Sequence, residues 1–426
     1  MNRRLSLIVA LLFGVGAALA ALSVVRVPSA FSAPPAEDEE GFVPLFDGKS
    51  LDGWMGAKYL VENGMLVCPA KGGGTILTKK QYDNFILRFE FRLTPGGNNG
   101  VAIRAPAKGN PAYQGMEIQI LDNSSPRYAK LRPAQYHGSI YDVVPAKRGA
   151  LKPVGEWNSE EIVAHGQFIK VTLNGQVIVD ANLDEITDPK VLKNHPGLKR
   201  PRGHIGFMGH GSRVEFRNIR IKELLNVPPP GYVALFNGKD LTGWKGLVAN
   251  PPKRAKMTPE ELAAAQKKAD EIMRAHWSVQ DGILVFDGQG QNLCTAKDYG
   301  DFDLWVDWKI EPGGDSGIYL RGTPQVQIWD RPEGSGGLYN NKKNPSKPLK
   351  RADNPPGEWN TFRIIMVGDK VTVYLNGQLV VDNVTMENYW ERDKPIYPTG
   401  PIELQSHRSK LWFKNIFIRE LPRKQG

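Results

Sequence analysis

Cysteine is nearly absent from this chain: 426 residues hold two, Cys68 and Cys294. That scarcity excludes a disulfide scaffold, a Cys-rich zinc site and a redox motif. One thiol falls in each half of the repeat described below, at non-equivalent positions. An intradomain disulfide is therefore impossible, an interdomain one is not expected, and both thiols read as small hydrophobes. Also missing are any long Lys/Arg block, any zinc-finger spacing and any RNP-like run. The formal net charge of +10 thus favours acidic surfaces in general and does not point to nucleic acid. A 41% hydrophobic and 23% charged composition is that of a soluble globular protein, long enough for two domains with their own cores.

Long apolar runs are lacking too, except at the N-terminus. Arg3 and Arg4 precede Leu5 to Val25, a basic region followed by an apolar one. Ala18-Leu19-Ala20 offers an A-x-A cleavage site, and Ala30 to Ala33 a later one. Uncut, the run is just long enough to span a bilayer once. Residues 1–33 read as a signal peptide or N-terminal membrane anchor, so the bulk of the chain is expected to be exported: periplasmic, secreted or held at the membrane facing outward. Residues 34–41, rich in Pro, Glu and Asp, read as a disordered spacer.

The remainder repeats itself at an offset of about 190 to 218 residues. VPLFDGKSLDGW from Val43 is answered by VALFNGKDLTGW from Val233. Thr94-Pro95-Gly96-Gly97-Asn98-Asn99-Gly100 is answered by Glu311-Pro312-Gly313-Gly314-Asp315-Ser316-Gly317. Gly155-Glu156-Trp157-Asn158 returns as Gly357-Glu358-Trp359-Asn360, and Phe216-Arg217-Asn218-Ile219 as Phe413-Lys414-Asn415-Ile416. Matches in one order mean domain duplication. The domains are placed at 42–224 and 231–422, joined by a Pro-rich linker at 225–230 that restricts their mutual orientation.

Both halves read as β. Phe85–Leu93 alternates apolar with more polar residues. Phe168–Leu173 and Gln176–Asp180 flank Asn174-Gly175, the pair a type I′ hairpin turn demands, and Lys370–Asp382 repeats this around Asn376-Gly377. Short strands spaced by Gly, Pro and Asn turns predict jelly-roll sandwiches. One helix is predicted, over about 258–276, from Thr258-Pro259-Glu260-Glu261, a capping box with Pro at the first helical position. It has no counterpart in the first half and reads as a surface insertion, placed on the linker or on the first domain. Trp157 and Trp359 read as core anchors. Asp122 and Asp330 read as strand or turn caps.

Strand parity separates core from solvent. It puts Arg104, Glu117, Gln119 and His210 on one polar face of the first half. In the second it groups Tyr319, Arg321, Gln325, Gln327, Trp329, Glu403, Gln405 and His407. Dense amides, an Arg, a His and aromatics suit a sugar, whose hydroxyls need oriented donors and acceptors and whose rings stack. The outer face of any antiparallel sheet is polar. What raises the functional reading is the recurrence of Gln119/Gln327, Arg104/Arg321 and His210/His407 in both copies.

The string LF-G-LDGW, GG-NNG followed by Arg, ME-IQILD, GEWN, LNG and FRNI resembles the 3-keto-disaccharide hydrolase domain. The second half, with PQVQIWD, GSGGLYNN and GPIELQSH, resembles a branch of that family. The resemblance covers nearly all of 42–422. It implies an all-β chain of two tandem concanavalin A-like lectin/glucanase jelly-roll sandwiches, with the ligand on the concave sheet, and cleavage of a carbohydrate substrate. A 3-keto group makes the C2 proton acidic. A base removes it, the C1 oxygen leaves by elimination, and water adds back. That chemistry assigns Glu117 as base, with Arg104 and His210 to stabilise the enolate and donate a proton. Asn99, Gln119, His137 and Tyr141 would orient hydroxyls. One carboxylate on this strand face fits an ordinary retaining glycosidase poorly. In the second half Gln325 stands where Glu117 stands in the first, so either Glu403, with His407, takes over as base or this copy only binds. No cofactor is identified. A divalent metal would polarise the ketone, but no ligand spacing calls for one. A separate sugar 3-oxidoreductase would have to supply the substrate. The rival readings are a non-catalytic lectin-like protein and a surface scaffold.

Overall fold

Nine-residue alternation is kept in three dimensions. Along Phe85–Leu93 every odd-numbered side chain is buried and every even-numbered one half-buried, as a strand with one face on a core requires. The structure is a computed structural model describing residues 39–71, 73–323 and 325–422. The N-terminal signal or anchor lies outside the described residues. Among those described, no helix is long and apolar enough to cross a membrane.

In the first half Phe85–Leu93 lies at the middle of an eight-stranded antiparallel sheet, between Trp157–His165 and Val214–Glu223. Five strands form the facing sheet: β1 (Trp54–Gly56), β2 (Thr75–Thr78), β3 (Asn98–Ala105), β4 (Met116–Leu121) and β5 (His204–Met208), in spatial order β1-β2-β5-β3-β4. Aromatic rings from both sheets close the core. Phe207 of β5 lies 5.9 Å from Phe89 and 4.1 Å from Phe216 across the gap. The second half repeats this. Its five-stranded sheet is β6 (Trp244–Gly246), β7 (Leu293–Thr295), β8 (Asp315–Tyr319), β9 (Gln325–Trp329) and β10 (Glu403–Leu404), ordered β6-β7-β10-β8-β9. Each half is thus an antiparallel jelly-roll sandwich, and the two stand in tandem. Both Asn-Gly hairpins form, with Asn174 and Asn376 at φ of 50° and 51°. Both cysteines are buried and free.

The insertion is helical, as α1 (Pro251–Arg254) and α2 (Pro259–His276). Thr258 Oγ1 accepts from the Glu261 amide and Glu261 Oε2 from the Thr258 amide. It packs on its own sandwich, not on the linker or the first domain. Ala269 and Met273 are buried. Asp270 Oδ1 accepts from the Gly246 amide at 2.9 Å, and Gln266 Nε2 donates to the Gly246 carbonyl at 2.8 Å. The helix thereby satisfies the open edge of β6, which a bare edge strand would leave to chance pairing. Trp157 and Trp359 are not core anchors either. Both are half-buried. Arg217 and Arg92 lie 3.9 and 4.8 Å from the Trp157 ring, and Lys414 lies 4.9 Å from that of Trp359. Asp122 and Asp330 do cap turns, accepting from the amides of Gly96 and Gly313.

The two sandwiches join in one compact unit that begins at Gly41. Between them lies a buried charge cluster. The Asp83 carboxylate receives Lys414 Nζ at 2.7 Å and the Arg202 guanidinium. Asp307 receives Asn415 Nδ2 at 2.8 Å. Asn226 of the linker and Asn415 exchange reciprocal amide-to-carbonyl bonds of 2.8 and 2.7 Å. Burial opposes ionisation of Asp83, but Arg202 and Lys414 outweigh it and hold the carboxyl below the ordinary range. Removing one member of such a buried set strands the others without a counter-charge. Asp83→Ala is expected to destabilise the protein by about 3 kcal/mol, read as a shift of the urea unfolding midpoint.

Candidate functional site

The five-stranded sheets turn one face to the core and the other outward, and register decides which side chains meet there. In the first half one row crosses the sheet through paired residues Met55, Leu77, Gly206, Ala102 and Glu117. Four members are apolar, and the carboxylate stands at the β4 end. Leu77, Ala102, Ala105, Ala112 and Met208 form a small apolar cluster of their own, with Met55, Tyr113 and Tyr141 packed on it. Glu117 is 3% exposed. It fits because Gly100, on the neighbouring strand, has no side chain: a Cβ there would lie 2.0 Å from Glu117 Oε1. That oxygen accepts no hydrogen bond from the protein. His210 Nε2, on a ring 44% exposed, lies 3.6 Å away. The Tyr141 amide donates to the Glu117 carbonyl, and Gln135 Nε2 donates to Tyr141 Oη at 3.3 Å. Burial first, then Asp142, raises the Tyr141 phenol, so it keeps its proton.

The equivalent row of the second half is Lys245, Cys294, Glu403, Tyr319 and Gln325. Here the carboxyl has moved two strands inward, from the edge to the middle. Glu403 is fully buried, and burial pushes its carboxyl up to about 7, against the pull of Arg254 and a hydrogen bond from Asn292. Gln325 Nε2 donates to Gln327 Oε1, and Gln327 Nε2 to Asp315 Oδ1 at 2.7 Å. His407 Nδ1 lies 3.7 Å from Asp315. Trp329, Nε1 bonded to the Gly334 carbonyl, meets the exposed ring of Tyr339 edge-on at 5.7 Å. Among the described residues no three His, Cys, Asp or Glu side chains converge as a metal site.

A family model for the 3-keto-alpha-glucoside-1,2-lyase-like domain matches residues 41–222 and again 231–419. The chain belongs to that family. A 3-keto-disaccharide hydrolase of Bacteroides thetaiotaomicron is 31% identical over 231 residues, covering 44% of this chain and 80% of the relative. Two candidate glycosyl hydrolases of Parabacteroides distasonis, known from crystal structures, are 29% and 26% identical. They cover 43% and 45% of this chain, 99% and 98% of their own, with TM-scores of 0.38 and 0.39.

In this lyase-like chain the outer face gathers Glu117, Gln119, Tyr141 and His210 in the first half, and Tyr319, Gln325, Gln327, Trp329, Glu403 and Gln405 in the second, with His407 at its rim. Four sequence-based candidates lie elsewhere. Arg104 is 1% exposed and points away from Glu117. Between Ala102 and Ala105, β3 carries one residue more than its partner β5, and Arg104 takes φ of 48°. This bulge breaks the parity on which the expectation rested. The guanidinium instead reaches the other sheet, donating to the carbonyls of Asp83 at 3.2 Å and Gly166 at 2.7 Å. Arg321, at φ of 54°, repeats this with the carbonyls of Gly300 and Gly368 at 2.9 and 2.8 Å, and adds Asp301 at 2.6 Å. The pair recurs as a structural pin, not as a substrate group. Asn99 is wholly buried, its Nδ2 toward Tyr59 Oη on the core side. His137 also faces inward: its Nδ1 accepts from the Leu121 amide, and Nε2 stands 3.4 Å from buried Glu160.

Several residues of the face escaped the sequence reading. Asn98 precedes the expected Asn99 by one parity step, and Asp315 answers Asn98 in the second copy. Asn98 Oδ1 is buried with no protein partner. Lys245, Asn292, Arg254 and Trp390 come from short or inserted segments with no periodic signal. Arg104→Ala is expected to lower the melting temperature while carbohydrate binding by the folded protein persists, as calorimetry would show. Glu403 makes a pH-dependent contribution. A carboxyl whose folded pKa is raised favours the folded state at low pH, and that contribution is lost as pH rises from the ordinary carboxyl range through about 7. Urea unfolding at pH 4 and pH 8 is therefore expected to find Glu403→Gln gaining about 3 kcal/mol on the wild type over that interval.

Proposed function

We propose that the first half cleaves 3-keto-glycosides, including 3-keto-disaccharides, by elimination, and that Glu117 is its base. The observation that carries this reading is the state of Glu117: a buried carboxylate with an unpartnered oxygen on an outward-facing sheet, beside an apolar floor and a half-exposed imidazole. The family to which the chain belongs and its similarity to the 3-keto-disaccharide hydrolase of Bacteroides thetaiotaomicron support a glycoside-cleaving activity. The apolar patch around Ala102, Leu77 and Met208 suits the C–H face of a sugar ring.

In the reaction, Glu117 Oε1 takes the proton from C2, which the adjacent C3 carbonyl acidifies. The electron pair passes into the enolate and then forms the C1–C2 double bond as the C1–O bond breaks. The leaving oxygen gains a proton through His210, the group 3.6 Å from Glu117. Tyr141, whose oxygen accepts from Gln135 and whose proton is retained, is the donor for the 3-keto oxygen in place of Arg104. Addition of water across the double bond completes a net hydrolysis. Such a base needs no second facing carboxylate, unlike the pair of an ordinary glycosidase. A separate sugar 3-oxidoreductase supplies the ketone. The basic-then-apolar N-terminus supports an exported protein.

The test is release of sugar from a 3-keto-disaccharide and from its unoxidised parent. Wild type is expected to cleave the keto form alone. Glu117→Gln is expected to lose turnover by about a hundredfold or more while still binding. Retained turnover removes Glu117 from the base role, and equal cleavage of the parent removes the elimination.

A further inference from the structure

The two halves share a fold and a register, yet their outer rows carry opposite chemistry. The first reads Met55, Leu77, Gly206, Ala102, Glu117; the second reads Lys245, Cys294, Glu403, Tyr319, Gln325. At strand spacings of 4.7–4.9 Å the carboxyl is displaced by about 10 Å across the sheet. Where the first half is apolar, the second carries hydrogen-bonding groups at every position but Cys294. A cleft of about 380 Å³ opens at its centre, lined by Asn292, Tyr319, Glu403 and Trp390 and walled by Asn250, Pro251 and Lys253 of the insertion. Trp390 is 37% exposed, and its Nε1 donates to the Gly322 carbonyl at 2.9 Å, so the indole is fixed where a sugar ring could lie on it.

We propose that the second half is a separate carbohydrate-binding site, holding an unoxidised pyranoside across Trp390, Glu403, Tyr319 and Gln325 beneath the insertion. This rests on the carbohydrate reading given above but not on the elimination. Two observations call for hydroxyl donors on the ligand. Gln325 is 4% exposed and its Oε1 has no hydrogen-bond partner in the protein; Gln405 Oε1 is likewise buried and unanswered. Both are acceptors. A sugar hydroxyl can donate to them, whereas a carbonyl oxygen cannot. The base position of the first half is meanwhile filled by the Gln325 amide, which takes no proton. The insertion has no counterpart in the first half, so its wall over Glu403 belongs to this site alone.

The test is calorimetric titration of the full chain carrying Glu117→Gln with maltose, cellobiose and trehalose. At least one is expected to bind saturably. Trp390→Ala, at a surface ring whose loss leaves the core intact, and Gln325→Ala are each expected to weaken that binding about tenfold. Circular dichroism and the unfolding midpoint confirm that each variant is folded. Absence of saturable binding by all three sugars, or binding that both folded variants leave unchanged, overturns the inference. Binding lost in these variants, in a protein whose wild type cleaves no 3-keto-disaccharide, upholds this site while the elimination falls.

Discussion

A buried guanidinium must have its N–H groups answered, and in each half of this protein the answer comes from the opposite sheet. Arg104 sits at an extra residue in β3 and Arg321 two residues past the end of β8; both take left-handed backbone and bond to the turn carbonyls of Gly166 and Gly368. The pins tie sheet to sheet at one edge of the sandwich. In the first half the bulge also resets parity, so that Ala105 joins Ala102 on the outer face while Arg104 leaves it. What lines the candidate site follows from that single inserted residue. The cost of burying two guanidinium groups is offset by these carbonyls and, in the second half, by Asp301.

With the frame pinned, substitution within the outer row changes the chemistry without disturbing the core. Gly100 and Gly317 leave room for a long side chain opposite, which is Glu117 in one half and Gln325 in the other. Gly206 becomes Glu403, and Ala102 becomes Tyr319. Each exchange lies on the outward face, where neither sandwich core is touched. One scaffold thus carries two different outer faces: an edge carboxylate on an apolar floor, and a buried central carboxyl in a largely polar row under a helical wall. The charge cluster around Asp83 and Asp307 holds the two sandwiches as one unit.

Much of this was legible in the residues. Asn174-Gly175 and Asn376-Gly377 dictated hairpins because few other pairs tolerate positive φ twice. Thr258 and Glu261 declared a helix start. Met116–Leu121 gave Glu117 and Gln119 their face because that strand is regular over all six residues. The failures share one cause, long-range geometry without a local signature. Nothing near Arg104 announces a bulge, since the extra residue is defined against β5, about a hundred positions away. His137 lies in a loop, where period-two reasoning has no purchase. Asn99 was expected to orient a sugar hydroxyl, although its own parity with Val101 points inward. Arg254 and Trp390 reach the second site only through the fold of an insertion and a late loop.

The central claim is that cleavage begins with removal of the C2 proton. The direct measurement compares cleavage rates of a 3-keto-disaccharide and its C2-deuterated form by the full chain. The account predicts clearly slower cleavage of the deuterated substrate, with solvent hydrogen appearing at C2 of the released sugar. Equal rates together with retention of the deuterium would contradict it, since the C2 bond would then never have been broken.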